Sequence, residues 1–231
     1  MNTFQDLGLD VRLVKGVEAL GFVTPTPIQL QAIPELLTGN RDLVGLAQTG
    51  TGKTAAFGLP LLQLIDLKDR EPQALVLAPT RELCMQIYND LQNFAVELKG
   101  FDAVPVYGGA SIQDQIRKIK RGVQVVVATP GRLIDLINRK ALDLGKIKIL
   151  VLDEADEMLN MGFKEDIDYI LENTPDDRNT WLFSATMPRE VKAISKNYMQ
   201  NPFEIKTASN EKGNENIEHC YAVVRVKDRY A

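Results

Sequence analysis

Asp42-Leu43-Val44-Gly45-Leu46-Ala47-Gln48-Thr49-Gly50-Thr51-Gly52-Lys53-Thr54 decides how the rest of this chain reads. An apolar strand at 43–46 runs into a glycine-rich turn, and the turn opens a helix at Lys53-Thr54. Such a turn aims several backbone N–H groups at one point, beside the positive end of a helix dipole, where phosphates fit. Gln48, Thr49, Gly50, Thr51 and Gly52 would wrap those phosphates, Lys53 would lean over the β- and γ-groups, and the Thr54 hydroxyl would ligate Mg2+. Ala47 stands where the general phosphate-loop pattern has glycine, and alanine is accepted there only with a negative φ. The competing reading is a glycine-rich turn with no ligand.

Working outward, apolar runs recur at 43–46, 74–78, 103–106, 123–128, 147–152 and 180–183, separated by helix-like segments at 81–98, 111–120, 132–138 and 189–199. Runs that are apolar throughout suit a parallel sheet covered on both faces. The rhythm predicts an α/β fold, a mostly parallel sheet with helices on both faces, whose ligand sits beyond the carboxyl ends of the strands. Two further helices, 10–20 and 27–37, precede the first strand. Between them Thr26 before Pro27 reads as an N-cap followed by the first helical residue.

The chain has 231 residues, 45% hydrophobic and 25% charged, an ordinary globular composition. A net charge of −4 excludes a global cationic field, so nucleic acid would have to be held by a local patch or by backbone N–H groups. Cys84 and Cys220 have neither pairing nor metal-ligand spacing, which suits a reducing compartment. The start lacks a signal-peptide pattern and no apolar run approaches about eighteen residues, so a cytoplasmic protein that spans no membrane is expected.

Ile149-Leu150-Val151-Leu152 followed by Asp153-Glu154-Ala155-Asp156 is the second pillar. A buried strand here delivers acids at its carboxyl end, facing the phosphate loop. Asp153 would hold Mg2+ through water, and Glu154 would orient and deprotonate a water attacking the γ-phosphate. Taken alone, the same acids read equally well as a solvated helix start, where carboxylates suit the dipole.

In order along the chain, these motifs resemble those of the N-terminal RecA-like domain of a DEAD-box ATP-dependent RNA helicase, a P-loop NTPase. The resemblance covers nearly the whole chain. Residues 47–54 resemble motif I, Pro79-Thr80-Arg81-Glu82-Leu83 motif Ia, and Gly108-Gly109 the double-glycine motif. Thr129-Pro130-Gly131-Arg132 resembles motif Ib, 153–156 motif II, and Ser184-Ala185-Thr186 motif III. Upstream, Gly21-Phe22 with Pro25-Thr26-Pro27-Ile28-Gln29 resembles the Q motif. ATP and Mg2+ are the implied cofactors, and the implied activity is ATP hydrolysis coupled to RNA binding and local duplex unwinding.

The resemblance also implies RNA contacts at Pro79, Thr80, Arg81, Gly108, Gly109, Thr129, Pro130, Gly131 and Arg132. Each segment follows a strand and opens a turn or helix, so free N–H groups can meet the RNA backbone with little sequence preference. Thr80 and Thr129 read equally as N-caps. The Gln29 amide can both donate and accept, as adenine N6 and N7 require, and Phe22 seven residues earlier can stack on the base. Alternatively Phe22 staples the helix start and Gln29 is merely exposed. Phe4 resembles the family's upstream aromatic or is a core residue. Ser184 and Thr186 can hydrogen-bond Asp156 and relay the phosphate state towards RNA, or cap a helix starting at Pro188. Arg117-Lys118-Ile119-Lys120-Arg121 reads as the solvated last turn of a helix.

Residues 1–207 thus read as one RecA-like domain, 208–216 as a polar linker, and 217–226 as the first strand of an absent second RecA-like domain. That domain would carry an arginine finger, so the chain alone is expected to bind adenine nucleotide yet to be nearly inactive as ATPase and helicase. His219 is given no catalytic role. Two rivals stay open: a different P-loop NTPase such as a DNA translocase, and a scaffold with retired catalysis, against which intact Lys53, Asp153 and Glu154 speak.

Overall fold

The computed structural model describes residues 3–207, so the expected linker at 208–216, the expected strand at 217–226, His219 and Cys220 lie outside the described residues. The strands are β1 (Leu43–Leu46), β2 (Ala74–Leu77), β3 (Ala103–Val106), β4 (Val125–Ala128), β5 (Ile149–Leu152), β6 (Asn179–Ser184) and β7 (Phe203–Lys206). They form one sheet in the order β3-β4-β2-β5-β6-β1-β7, and every neighbouring pair is parallel. The helices α1 (Val11–Ala19), α2 (Pro27–Leu36), α3 (Lys53–Leu64) and α4 (Arg81–Phe94) cover one face. The other face carries α5 (Ile112–Lys120), α6 (Pro130–Asn138), α7 (Ala155–Asn160), α8 (Lys164–Glu172) and α9 (Arg189–Tyr198).

Alternation along each strand explains why the runs are apolar at every position. In β2, Ala74 and Val76 enter the core under α3 and α4, while Leu75 and Leu77 enter the opposite core. The expected strands and helices are present, most with trimmed ends, while β6 and α6 extend beyond the expected 180–183 and 132–138. Among the elements absent from the sequence expectation are α7 and α8 after the acids, and β7, whose alternating Phe203-Glu204-Ile205-Lys206 pairs with β1 alone among the described residues. Among the described residues no helix is long and apolar enough to cross a membrane.

The amino end of the sheet is stitched by Asp42. Its buried carboxylate accepts from Thr180 N at 2.6 Å and also from Gln200 N, while the Trp181 indole donates to Arg41 O at 3.2 Å. Register follows: Leu43 lies opposite Trp181 on one side and Phe203 on the other. Cys84 is buried, and that burial pushes its thiol up to about 12, which makes it an inert core residue.

Helix α1 lies against α4 at Gly16, where an added Cβ would come within 2.4 Å of the Phe94 carbonyl oxygen. A backbone oxygen cannot swing aside as a side chain can. Gly16→Ala gains about 1 kcal/mol in helix propensity but forces the helices apart, at a cost of about 1–3 kcal/mol. We expect a lower urea midpoint with an unchanged slope; an unchanged midpoint would show that α1 does not dock so closely.

Candidate functional site

A cavity of about 600 Å3 opens at the carboxyl rim of the sheet. Its floor is Thr49, Gly50, Gly52, Lys53 and Thr54, its acidic wall is Asp153 and Glu154, and Phe22 and Gln29 stand on another side. Ala47, Gln48 and Thr51 belong to the same turn but brace it from outside the cavity. Ala47 N donates to Ser184 O at 3.0 Å, and the Thr51 hydroxyl donates to Gln48 O at 2.7 Å. Ala47 is not among the residues with positive φ, so alanine is tolerated at that position, whereas Gly50 and Gly52 need φ of 75° and 88°.

Lys53 begins α3 and Asp153 follows β5, and the sheet brings them together. The ammonium is 6% exposed, lies 3.9 Å from the Asp153 carboxylate, and has no hydrogen-bond partner among the described residues. Asp153 is pushed up to about 6 by burial, with Lys53 opposing the rise and the Glu154 charge adding to it. Glu154 takes φ 51° in the turn to α7, a left-handed conformation that costs a non-glycine residue about 1–3 kcal/mol. Among the described residues no three His, Cys, Asp or Glu side chains form a metal cluster. Asp153 and Thr54 both line the cavity, and their hard oxygens are of the type Mg2+ takes beside waters and phosphate oxygens.

Gln29 is 4% exposed, which overturns its reading as merely exposed. Its Oε1 accepts from Thr26 N at 2.9 Å and its Nε2 donates to Gly52 O at 3.0 Å. One amide hydrogen and one lone pair remain for a ligand. A Cβ on Gly52 would fall 2.3 Å from Gln29 Nε2, so any side chain there would displace the amide from its present place. Phe22 is 45% exposed, whereas Phe4 is a core residue that also reaches the cavity.

Ser184 and Thr186 close on Asp156. Thr186 donates to the carboxylate through N at 2.9 Å and Oγ1 at 2.7 Å, and Ser184 Oγ accepts from Asp156 N at 3.3 Å. The capping alternative fails: α9 begins at Arg189 after Pro188, and no side chain caps it.

The segments singled out for RNA follow β2, β3 and β4, which are neighbours in the sheet, so they share one stretch of rim. Thr80 caps α4, accepting from Leu83 N at 3.2 Å, while Thr129 holds the N-cap position of α6 without a side-chain bond. Pro79 and Pro130 are buried, Pro130 as the first residue of α6; Gly108, Gly109 and Gly131 are exposed. The Arg81 guanidinium lies 4.9 Å over the Tyr107 ring. Arg132 Nη1 donates to Ala110 O and to Gln115 Oε1, each at 3.1 Å. The cluster at 117–121 ends α5 in solvent, with Arg117 paired to Asp114. Tyr107, Gln115 and the α4 residues Gln86 and Asp90 that line the cavity escaped the sequence reading. Only the i, i+4 spacing of the last two on an amphipathic helix could have pointed to them.

Residues 26–194 match the family described as DEAD/DEAH box helicase. The chain is 47% identical over 230 residues to the DEAD-box ATP-dependent RNA helicase CshA of Geobacillus kaustophilus, covering all of this chain and 49% of that protein. It is 46% identical over 225 residues to the ATP-dependent RNA helicase DeaD of Mycobacterium tuberculosis, covering 97% of this chain and 40% of that protein. A crystal structure of a DEAD box protein from the hyperthermophile Methanococcus jannaschii superposes with a TM-score of 0.84 at 40% identity, covering 87% of this chain and 55% of that one. The chain thus spans less than half the length of these two curated relatives.

Burial alone would raise the Asp156 carboxyl, but the Thr186 and Ser184 hydrogen bonds outweigh it and hold the group below its ordinary value. A depressed folded value contributes stability above the ordinary carboxylate range, and that contribution is lost as pH falls through the folded value. Thr186→Val should therefore be less stable than the parent near neutral pH, with the gap closing on acidification. A gap independent of pH in denaturant titrations would assign the loss to packing instead.

Proposed function

Because this chain belongs to the DEAD/DEAH box helicase family, we propose that it binds ATP with Mg2+ and couples ATP hydrolysis to RNA-backbone binding and local duplex opening. The observation that carries this reading is the Lys53 ammonium, buried without a hydrogen-bond partner in a cavity the size of a nucleotide. A buried cation with no hydrogen bond and only one carboxylate, at 3.9 Å, is costly, and the β- and γ-phosphates would complete it.

In this reading the free N–H groups of 48–54 hold the phosphate oxygens while Gln29 and Phe22 hold adenine. Thr54, and Asp153 through water, would hold Mg2+, which when bound would neutralise charge on the phosphates. Glu154 takes the proton of the attacking water, and Asp156, held by Ser184 and Thr186, passes the change towards the rim that holds RNA. Pro79, Thr80, Arg81, Gly108, Gly109, Thr129, Pro130, Gly131 and Arg132 form that rim, meeting phosphates and sugars with little sequence preference. A second RecA-like domain supplies the arginine that completes hydrolysis. Two cysteines without a disulfide pattern suit a cytoplasmic setting.

Calorimetric titration tests the nucleotide half. Lys53→Ala should weaken ADP about 10–100-fold, the worth of a charge-assisted hydrogen bond of about 1.5–3 kcal/mol. Gln29→Ala should erase a preference for ATP over GTP; a wild-type chain that binds the two equally sinks the adenine assignment. Steady-state phosphate release by this chain alone should run about 10³–10⁵ slower than with an arginine-bearing second domain restored.

A further inference from the structure

Gln115 is a buried amide on α5, 5% exposed, that bridges the double-glycine turn and Arg132. Its Nε2 donates to Tyr107 O at 3.0 Å, on the residue before the double glycine. Its Oε1 accepts from Arg132 Nη1, which also donates to Ala110 O. Both hydrogens of Nη1 are thus committed to the protein. The guanidinium's other edge, Nε–H and Nη2, has no protein partner among the described residues, and those two donors match two oxygens of one phosphate. The turn between these anchors holds Gly109 at φ 83°, with Arg81 stacked on Tyr107 at its other side.

We propose that Gln115 is a positioning residue for RNA: it fixes the Tyr107–Ala110 turn and clamps Arg132 by Nη1, so that the Nε/Nη2 edge takes one backbone phosphate in bidentate fashion. The proposal rests on the RNA-binding reading above. A lysine at 132 could not serve, since a point charge cannot clamp the turn and fork a phosphate together.

Binding of a ten-nucleotide oligouridine, followed by NMR across a salt series, tests it. Each phosphate contact to a single strand contributes about 0.7 to the slope of log affinity against log salt. Gln115→Leu should weaken binding about tenfold and flatten the slope by about 0.7, as should Arg132→Ala, and the double variant should be no worse than Arg132→Ala. ADP affinity should stay at the wild-type value in all three. Gln115→Glu keeps the acceptor for Arg132 but loses the donor to Tyr107 O, so it should keep the slope while binding less tightly than wild type; a slope as flat as that of Gln115→Leu would overturn the clamp on Arg132. Weaker binding with an unchanged slope in Gln115→Leu, or additive losses in the double variant, would overturn the proposal. If Gln115→Leu does not fold, Arg132→Lys carries the test, and a wild-type slope there is fatal to it. A wild-type chain with no salt-dependent oligouridine binding removes the RNA reading itself, and this proposal with it.

Discussion

The arrangement turns on two opposite charges that the sheet buries together and leaves imperfectly joined. At 3.9 Å, Lys53 and Asp153 are too far apart for a hydrogen bond, yet both are almost wholly removed from water. Desolvating such a pair costs several kcal/mol per ion, and attraction repays it only with good geometry and further hydrogen bonds. Here Asp153 accepts from Glu154 N at 3.0 Å, while the Lys53 ammonium has no hydrogen bond among the described residues. The pair is held in place by backbone: Gly52 and α3 fix one partner, and β5 with the turn through Glu154 fixes the other. Stability has been given up locally to keep a cation and an acid poised on either side of a space.

The same trade explains the glutamine that follows Thr26. Gln29 closes the start of α2 and grips the carbonyl of Gly52, so the helix cap and the phosphate loop form one mechanical unit. What occupies the space beside the amide is then felt directly by the loop. On the other side of the sheet, Asp156 is already bound to Thr186 and Ser184 before any ligand is considered. That contact belongs to the resting frame of the domain.

Much of this was legible in the sequence, for identifiable reasons. Strands buried on both faces leave unbroken apolar runs, and the turn chemistry at Gly50-Thr51-Gly52 admits few alternatives. Lys53 and the acids at 153 and 154 could be named because their roles attach to local spacing. Gln115 and Tyr107 could not: each acts through a partner elsewhere in the chain, and neither residue type signals such a role. Helices α7 and α8 were hidden by the acids and by the short, polar run that follows them. Strand β7 was hidden because an edge strand, half in solvent, carries only Ile205 fully buried. The capping role weighed for Ser184 and Thr186 failed because a carboxylate across the sheet rim competes better than a helix start.

The strand order has a consequence for biosynthesis. β1, which leads into the phosphate loop, lies between β6 and β7, both made more than a hundred residues later. Asp42 meets its partner Thr180 only after a separation of 138 residues. At ordinary translation rates that interval lasts on the order of ten seconds, during which an apolar segment near the amino terminus has no neighbour to pair with. Whatever shelters β1 over that interval has to be contacts other than those of the finished sheet.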